Sequence, residues 1–361
     1  IQDDVFPAIQ EVIENTSFIN GPKVHEFQKN LENYLGVKHV IPCANGTDAL
    51  QVALMALDLK PGDEVITSDF TFAATVEVVG LLGMVPVLVD VDRDTFNISI
   101  DAIEKAITPK TKAIVPVHIF GQCANMDAIM ALVKKHDLFV IEDTAQGIGA
   151  KYTDKNGQVS SAGCIGDIGT TSFFPSKNLG CYGDGGAIFT NNDELATAMR
   201  SIVNHGMGER YYYDRYGVNS RLDSIQAAIL RIKLRELDTY ISNRQKAANY
   251  YTEFFKNVDG VETPGLDQQS THVYHQYTLK VKGIDQFALQ KFLGEKGIPA
   301  MIYYPMPLHG QKAYDTGNYK EEDFKVTNEL CKSVFSLPMH TELDEEQLAF
   351  ICESVKEFIE K

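Results

Sequence analysis

FVIEDTAQ, residues 139–146, is a short apolar run that ends on an acidic pair and passes into a polar turn. Such a run, rich in β-branched and aromatic residues, reads as a buried strand. In an open α/β sheet, ligands bind just beyond the carboxyl ends of the strands. Asp143 then sits at a strand end with Gln146 three residues on. The aspartate either caps the next helix or holds a proton on a heterocyclic nitrogen, and in the second case Gln146 can hydrogen-bond a neighbouring phenolic oxygen.

Similar runs recur on both sides. EVITS (64–68), PVLVDV (86–91), AIVPVHI (113–119), IGTTSFF (168–174) and GAIFT (186–190) alternate with helical patterns such as DALQVALMAL (48–57). In that helix Leu50, Ala53, Leu54 and Leu57 share one face. From about residue 47 to 190 this alternation predicts an α/β fold with a parallel sheet and crossover helices. A long helical pattern follows over 222–256, with Ile225, Ile229 and Ile232 at helix spacing. Then HVYHQYTLKV (272–281) alternates, with Val273, Tyr277, Leu279 and Val281 on one side, before a helix near 285–296. DEEQLAFICESVKEFIEK closes the chain, setting Leu348, Ile351, Cys352, Val355 and Ile359 on one face. These patterns predict a large domain over 1–240 and a smaller α+β domain over 241–361.

The bulk properties narrow the function classes. The 361 residues carry 33 Lys+Arg against 49 Asp+Glu, a net charge of −16, which repels a nucleic-acid backbone. Apolar stretches such as VVGLLGMVPVLV (78–89) are too short to span a bilayer, and no charged-then-apolar leader opens the sequence. The six cysteines are scattered, without a CxxC pair. That usage fits a reducing cytoplasm and argues against a zinc site; the histidines show no metal spacing. No GxGxxG opens a helix after a first strand, so a dinucleotide-binding dehydrogenase is disfavoured.

Three more strand ends carry unusual residues. In CANGTDAL (43–50), Asn45, Gly46 and Thr47 precede a helix and form either an ordinary N-cap or a cup for an anion. In SDFTFAATVE (68–77), Phe72 is either core or a face on which a flat ring stacks. In TTSFFPSKNLGCYGDGG (170–186), Ser172 ends a strand and Lys177 follows it in a loop before a glycine cluster. Together with Asp143, these features describe one ligand: a planar heterocycle bearing a phosphate and a carbonyl. Pyridoxal 5'-phosphate fits, with Lys177 as its Schiff-base lysine and Asp143 on its ring nitrogen. Lys177 would then serve as general base.

ANGTDAL, TFAAT, EDTAQ, SFFPSKNLG, YGDGGAIFT, NHG (204–206) and GVNSRLDSIQAA (217–228), in this order, resemble the DegT-type nucleotide-sugar aminotransferases over essentially the whole chain. The resemblance implies a fold type I (aspartate aminotransferase-like) large domain and a homodimer with shared active sites. It implies Lys177 as the cofactor-bonding lysine, Asp143 on the pyridine nitrogen and Gln146 near the ring hydroxyl. It further implies Phe72 as the stacking face, Gly46, Thr47 and Ser172 as phosphate ligands, and Asn219 as a phosphate ligand from the partner. Within the family, the likeness is to enzymes that aminate carbon 3 of UDP-2-acetamido-3-keto-glucuronic acid, with glutamate as donor and a role in surface polysaccharide biosynthesis. There Arg221 would meet the sugar carboxylate across the dimer interface, and Thr16, Phe18, Ser176, Tyr303 and Tyr304 would line the sugar site. Tyr303 stands where that group usually has histidine, Thr16 where it has glycine and Phe18 where it has tyrosine. The same fold also hosts amination at carbon 4, or at carbon 3 of dTDP-linked deoxysugars; a cofactor-binding regulator without turnover is the reading from another class.

Overall fold

A computed structural model describes residues 1–314 and 319–360. Its centre is a seven-stranded sheet. The strands are β1 (His39–Cys43), β2 (Glu64–Ser68), β3 (Val85–Val89), β4 (Thr111–Val115) and β5 (Phe139–Asp143), then, after a hairpin of β6 (Lys151–Thr153) and β7 (Val159–Ser161), β8 (Ile168–Ser172) and β9 (Gly186–Thr190). Their order is β1-β9-β8-β5-β4-β2-β3. Five strands from β8 to β3 run parallel, and β9 pairs antiparallel with both β8 and β1. Helices cover both faces, so β8 and β9 are almost wholly buried and read as near-continuous small and apolar runs.

The expected strands at 64–68, 139–143 and 186–190 form over those residues; those near 86–91, 113–119 and 168–174 occupy 85–89, 111–115 and 168–172. β1 had no sequence signal because Pro42 interrupts HVIPC, and proline cannot donate to a central ladder. It is tolerated here because β1 is an edge strand.

The helix Gly46–Ala56 starts two residues before the helical pattern, capped by Asn45, whose Oδ1 accepts the Asp48 N–H at 2.8 Å. Gly46 and Thr47 therefore occupy its first turn. The long helical pattern over 222–256 resolves into two helices, Ser224–Leu234 and Leu237–Phe255, broken at Arg235–Glu236. The second links two cores. Leu237 and Ile241 pack into the core under the sheet, whereas Ala247, Ala248, Tyr251 and Phe255 pack into a second core with the C-terminal elements.

That second core rests on a three-stranded sheet of β12 (Val261–Glu262), β13 (Tyr277–Val281) and β14 (Val334–Leu337), reached after a short ribbon of β10 (Met207–Glu209) and β11 (Tyr212–Tyr213). The alternation over 272–281 yields a strand only from Tyr277, and all five of its residues are buried. Its polar members are satisfied inside: Thr278 bonds the Ser336 hydroxyl at 2.9 Å, and the Lys280 ammonium reaches Asp94 at 3.0 Å. Val273 leaves that face and joins the larger core. The helices Gln286–Glu295 and Glu345–Ile359 follow the expected pattern, the latter opened by a capping box between Asp344 and Gln347.

All six cysteines are free; five are buried and Cys164 is half-buried. Among the described residues no helix is long and apolar enough to cross a membrane, and no cluster of three metal-ligating side chains occurs.

Candidate active site

The carboxyl ends of β1, β2, β4, β5 and β8 converge on a cleft of about 660 Å³. Asp143 ends β5 and is buried. Its Oδ2 accepts the Thr75 hydroxyl at 2.9 Å and its Oδ1 accepts the Ala145 N–H at 3.0 Å. Two donors fix the orientation of its carboxyl group. The neighbouring acid is structural. Glu142 is fully enclosed, its oxygens accepting N–H groups of Gly163, Ile165 and Gly166 and the Nε2–H of His118 at 2.6–2.9 Å. The His118 proton lies on Nε2 because Nδ1 accepts the Ala124 N–H.

Gln146 has a defined orientation. Its carbonyl oxygen accepts the Phe120 N–H at 2.7 Å, so its NH₂ end turns to the cleft, where it donates to the Tyr304 hydroxyl at 3.2 Å. One of its two N–H groups remains for a ligand.

Opposite lies the N-terminus of the helix Gly46–Ala56, whose first-turn N–H groups have no intrahelical acceptors. Gly46 is required there. A Cβ on it would stand 2.7 Å from the Cβ of Ser172. The Ser172 hydroxyl, which accepts the Phe174 N–H at 3.2 Å, borders the same cup.

Lys177 follows β8 in a loop held at several points. Its N–H donates to the Phe174 carbonyl at 2.8 Å, the Cys181 N–H to the Phe173 carbonyl at 2.8 Å, and Asn178 Nδ2 to the Val273 carbonyl at 3.0 Å. Gly180 cannot be replaced without strain, since a Cβ would meet the Pro175 carbonyl oxygen at 2.5 Å. Burial disfavours the ammonium and lowers Lys177 from 10.5 to about 8, the Asp143 carboxylate opposing the shift. At neutral pH the lysine is still mostly ammonium, but the free amine, the form that acts as nucleophile and base, is far more populated than in an ordinary lysine. Phe72, 60% exposed, presents its ring at the mouth of the cleft.

Of the candidates from the sequence, Gly46, Thr47, Phe72, Asp143, Gln146, Ser172, Ser176, Lys177, Tyr303 and Tyr304 line this one cleft. Thr16, Phe18, Asn219 and Arg221 do not. Phe18 lies against the segment that follows Asn219 and Arg221: the Ser224 N–H donates to the Phe18 carbonyl at 3.0 Å, Ile19 bridges Asp223, and Gly21 N–H donates to the Ser224 hydroxyl at 3.1 Å. Asn219 is exposed and Arg221 half-buried there. Ser220 between them accepts the Ala44 N–H at 3.0 Å, which ties this surface to the exit of β1.

Sequence reasoning missed Thr75, His275 and Gln276. Thr75 is one turn beyond Phe72 and nothing in its neighbours signals a partner 68 residues away. His275 lines the cleft, and burial, reinforced by Lys177 and Arg244, pushes its imidazole well below its ordinary value, so it is neutral.

The sequence profile described as the DegT/DnrJ/EryC1/StrS aminotransferase family matches residues 1–356. The chain is 47% identical over 353 residues, 98% of its length and 95% of the other, to the UDP-2-acetamido-2-deoxy-3-oxo-D-glucuronate aminotransferase of Pseudomonas aeruginosa. It is 45% identical over 363 residues, 99% and 95% of the two chains, to a protein of Geobacillus stearothermophilus named pleiotropic regulatory protein. Among solved structures, DesV of S. venezuelae in complex with a ketimine intermediate superposes with a TM-score of 0.95 at 34% identity, covering 100% of this chain and 95% of that one. NtdA of Bacillus subtilis with bound cofactor PMP gives 0.91 at 34% identity, covering 99% and 82%.

Proposed function

The chain belongs to the DegT/DnrJ/EryC1/StrS aminotransferase family, and from that premise we propose that it aminates carbon 3 of UDP-2-acetamido-2-deoxy-3-keto-glucuronic acid, taking the amino group from glutamate with pyridoxal 5'-phosphate as cofactor. The observation that carries this reading is the Lys177 amine, lowered to about 8, in a cleft that also holds the Asp143 carboxylate and an open helix N-terminus. The residues fit the cofactor. The cup that a Gly46 Cβ would fill suits a phosphate, Asp143 suits a protonated ring nitrogen, and Phe72 offers a stacking face.

When bound, the cofactor supplies an aldehyde that condenses with amines and a ring that accepts an electron pair. The side chains do the rest. Gly46, Thr47 and Ser172 would hold the phosphate. Asp143, oriented by Thr75 and Ala145, would hold a proton on the ring nitrogen, and Gln146 would donate to the ring oxygen. Lys177 would hold the cofactor through its aldehyde and would serve as the base that moves the proton at the substrate carbon.

The substrate is strongly anionic, yet the charged residues lining the cleft are Asp48, Asp143, Asp184 and Lys177. The cleft's own cationic charge is one lysine among the described residues. That imbalance supports a homodimer in which Asn219 and Arg221 of one copy complete the cleft of the other, Arg221 pairing with the sugar carboxylate and Asn219 with the phosphate. Thr16 and Phe18 would join the sugar site in that way. We assign the cofactor-binding part to residues 1–240 and the smaller domain to 241–361, and the reaction to the cytoplasm in surface polysaccharide biosynthesis.

The test is a panel of keto-sugar nucleotides offered with glutamate and read by mass spectrometry. The 3-keto-uronate should gain the amino group fastest. Preference for a sugar without the carboxylate, or for carbon 4, would overturn the substrate; no amination of any sugar would favour a regulator.

A further inference from the structure

Tyr303 and Tyr304 lie on a strap, residues 302–307, that crosses one side of the cleft. The strap is pinned at both ends. At its start Met301 exchanges two backbone hydrogen bonds with Ser336 on β14, at 3.0 and 2.7 Å. At its end the Asp69 carbonyl accepts the Leu308 N–H at 3.2 Å, Asp69 Oδ1 accepts the His309 N–H at 2.7 Å, and Asp69 Oδ2 accepts from His309 Nδ1 at 2.7 Å. The stretch between carries Pro305 and Pro307, which have no N–H to donate.

Asp69 is wholly buried and immediately precedes the segment that sets Phe70 edge-to-face against the Tyr304 ring, centroids 5.6 Å apart, and Phe72 at the cleft mouth. The His309 ring is stacked on Phe324 at 4.3 Å, which fixes the direction of its Nδ1. One carboxylate thus holds two walls of the cleft in register: the aromatic face that follows β2 and the tyrosine strap from the C-terminal half of the chain.

We propose that Asp69 and His309 form a positioning latch that sets the Tyr303–Tyr304 wall for the sugar-nucleotide substrate. This rests on the function proposed above. Neither residue lines the cleft; they act through the strap.

The test compares His309→Leu, which removes the side-chain donor, with His309→Asn, whose amide can donate from the position of Nδ1. In the cofactor-loaded enzyme, His309→Leu is expected to raise KM for the keto-sugar nucleotide about tenfold, with kcat and the KM for glutamate held within about twofold, and His309→Asn is expected to restore most of that loss. Hydrogen exchange supplies a readout independent of turnover: amides of residues 302–304 and 308–309 should exchange faster in His309→Leu and not in His309→Asn. Unchanged exchange would overturn the latch, as would equal losses for both substrates or no rise in sugar KM. If the wild-type enzyme aminates no sugar, the proposed function and the substrate half of this inference fall together, and exchange alone decides the tether.

Discussion

The Thr75 hydroxyl donates to Asp143 Oδ2 at 2.9 Å, buried, from the first turn of the helix that follows Phe72. A hydrogen bond to a charged group contributes about 1.5–3 kcal/mol. Thr75→Val keeps the shape and deletes that donor, so under the proposed function Asp143 should hold the cofactor's ring nitrogen less well. We expect cofactor affinity to fall about tenfold or more. Equilibrium dialysis of pyridoxal phosphate checks it; unchanged affinity would mean that Ala145 alone orients the carboxylate.

Lys177→Ala is expected to lower turnover at least about a thousandfold, since under the proposed function nucleophile and proton carrier are lost together. The far-ultraviolet circular dichroism should match wild type. Near wild-type amination by this variant would contradict the assigned role.

The same lysine makes stability depend on pH. In the folded chain it titrates at about 8 against an ordinary 10.5. Between those values the unfolded chain binds more protons, so the lysine's cost to stability is full below about pH 8 and fades as pH rises towards 10.5. Cofactor-free Lys177→Met should therefore exceed cofactor-free wild type by about 1–3 kcal/mol near neutral pH, with the gap closing in alkali. Urea unfolding at several pH values measures it, and a pH-independent gap would exclude desolvation of the amine as the source.

Gly46→Ala puts a methyl group 2.7 Å from Ser172 Cβ. Overpacking of this kind costs about 1–3 kcal/mol, here at the phosphate cup. A lower Tm together with weaker phosphate and cofactor binding is expected; loss of stability alone would detach the glycine from ligand binding.

Arg221→Ala tests both the uronate and the dimer. If Arg221 of one copy serves Lys177 of the other, each single variant is inactive on the uronate, yet an equal mixture of Lys177→Ala and Arg221→Ala chains recovers about a quarter of wild-type activity, because half the dimers hold one intact site. A mixture that stays inactive after subunit exchange would place both residues in one chain's site.

Much of this was readable along the chain. The strands at 64–68, 139–143 and 186–190 were legible because a parallel sheet covered on both faces needs apolar runs bounded by turns. Asp143, Ser172 and Lys177 were legible because strand ends are where such sheets bind ligands. β1 was hidden by Pro42, and the break at Arg235–Glu236 carries neither glycine nor proline to announce it.

By itself the sequence determined the alternation of strands and helices from β2 to β9, and the candidate residues at the strand ends, since both follow from local spacing. Only the tertiary structure decided that Thr75 supports Asp143, that Gln146 turns its amide nitrogen to the cleft, and that Asp69 ties down His309 across 240 residues. It also separated Thr16, Phe18, Asn219 and Arg221 from the cleft. Hydrogen bonds between distant segments have no period in the chain; they exist because buried polar groups must find partners wherever packing brings one within reach.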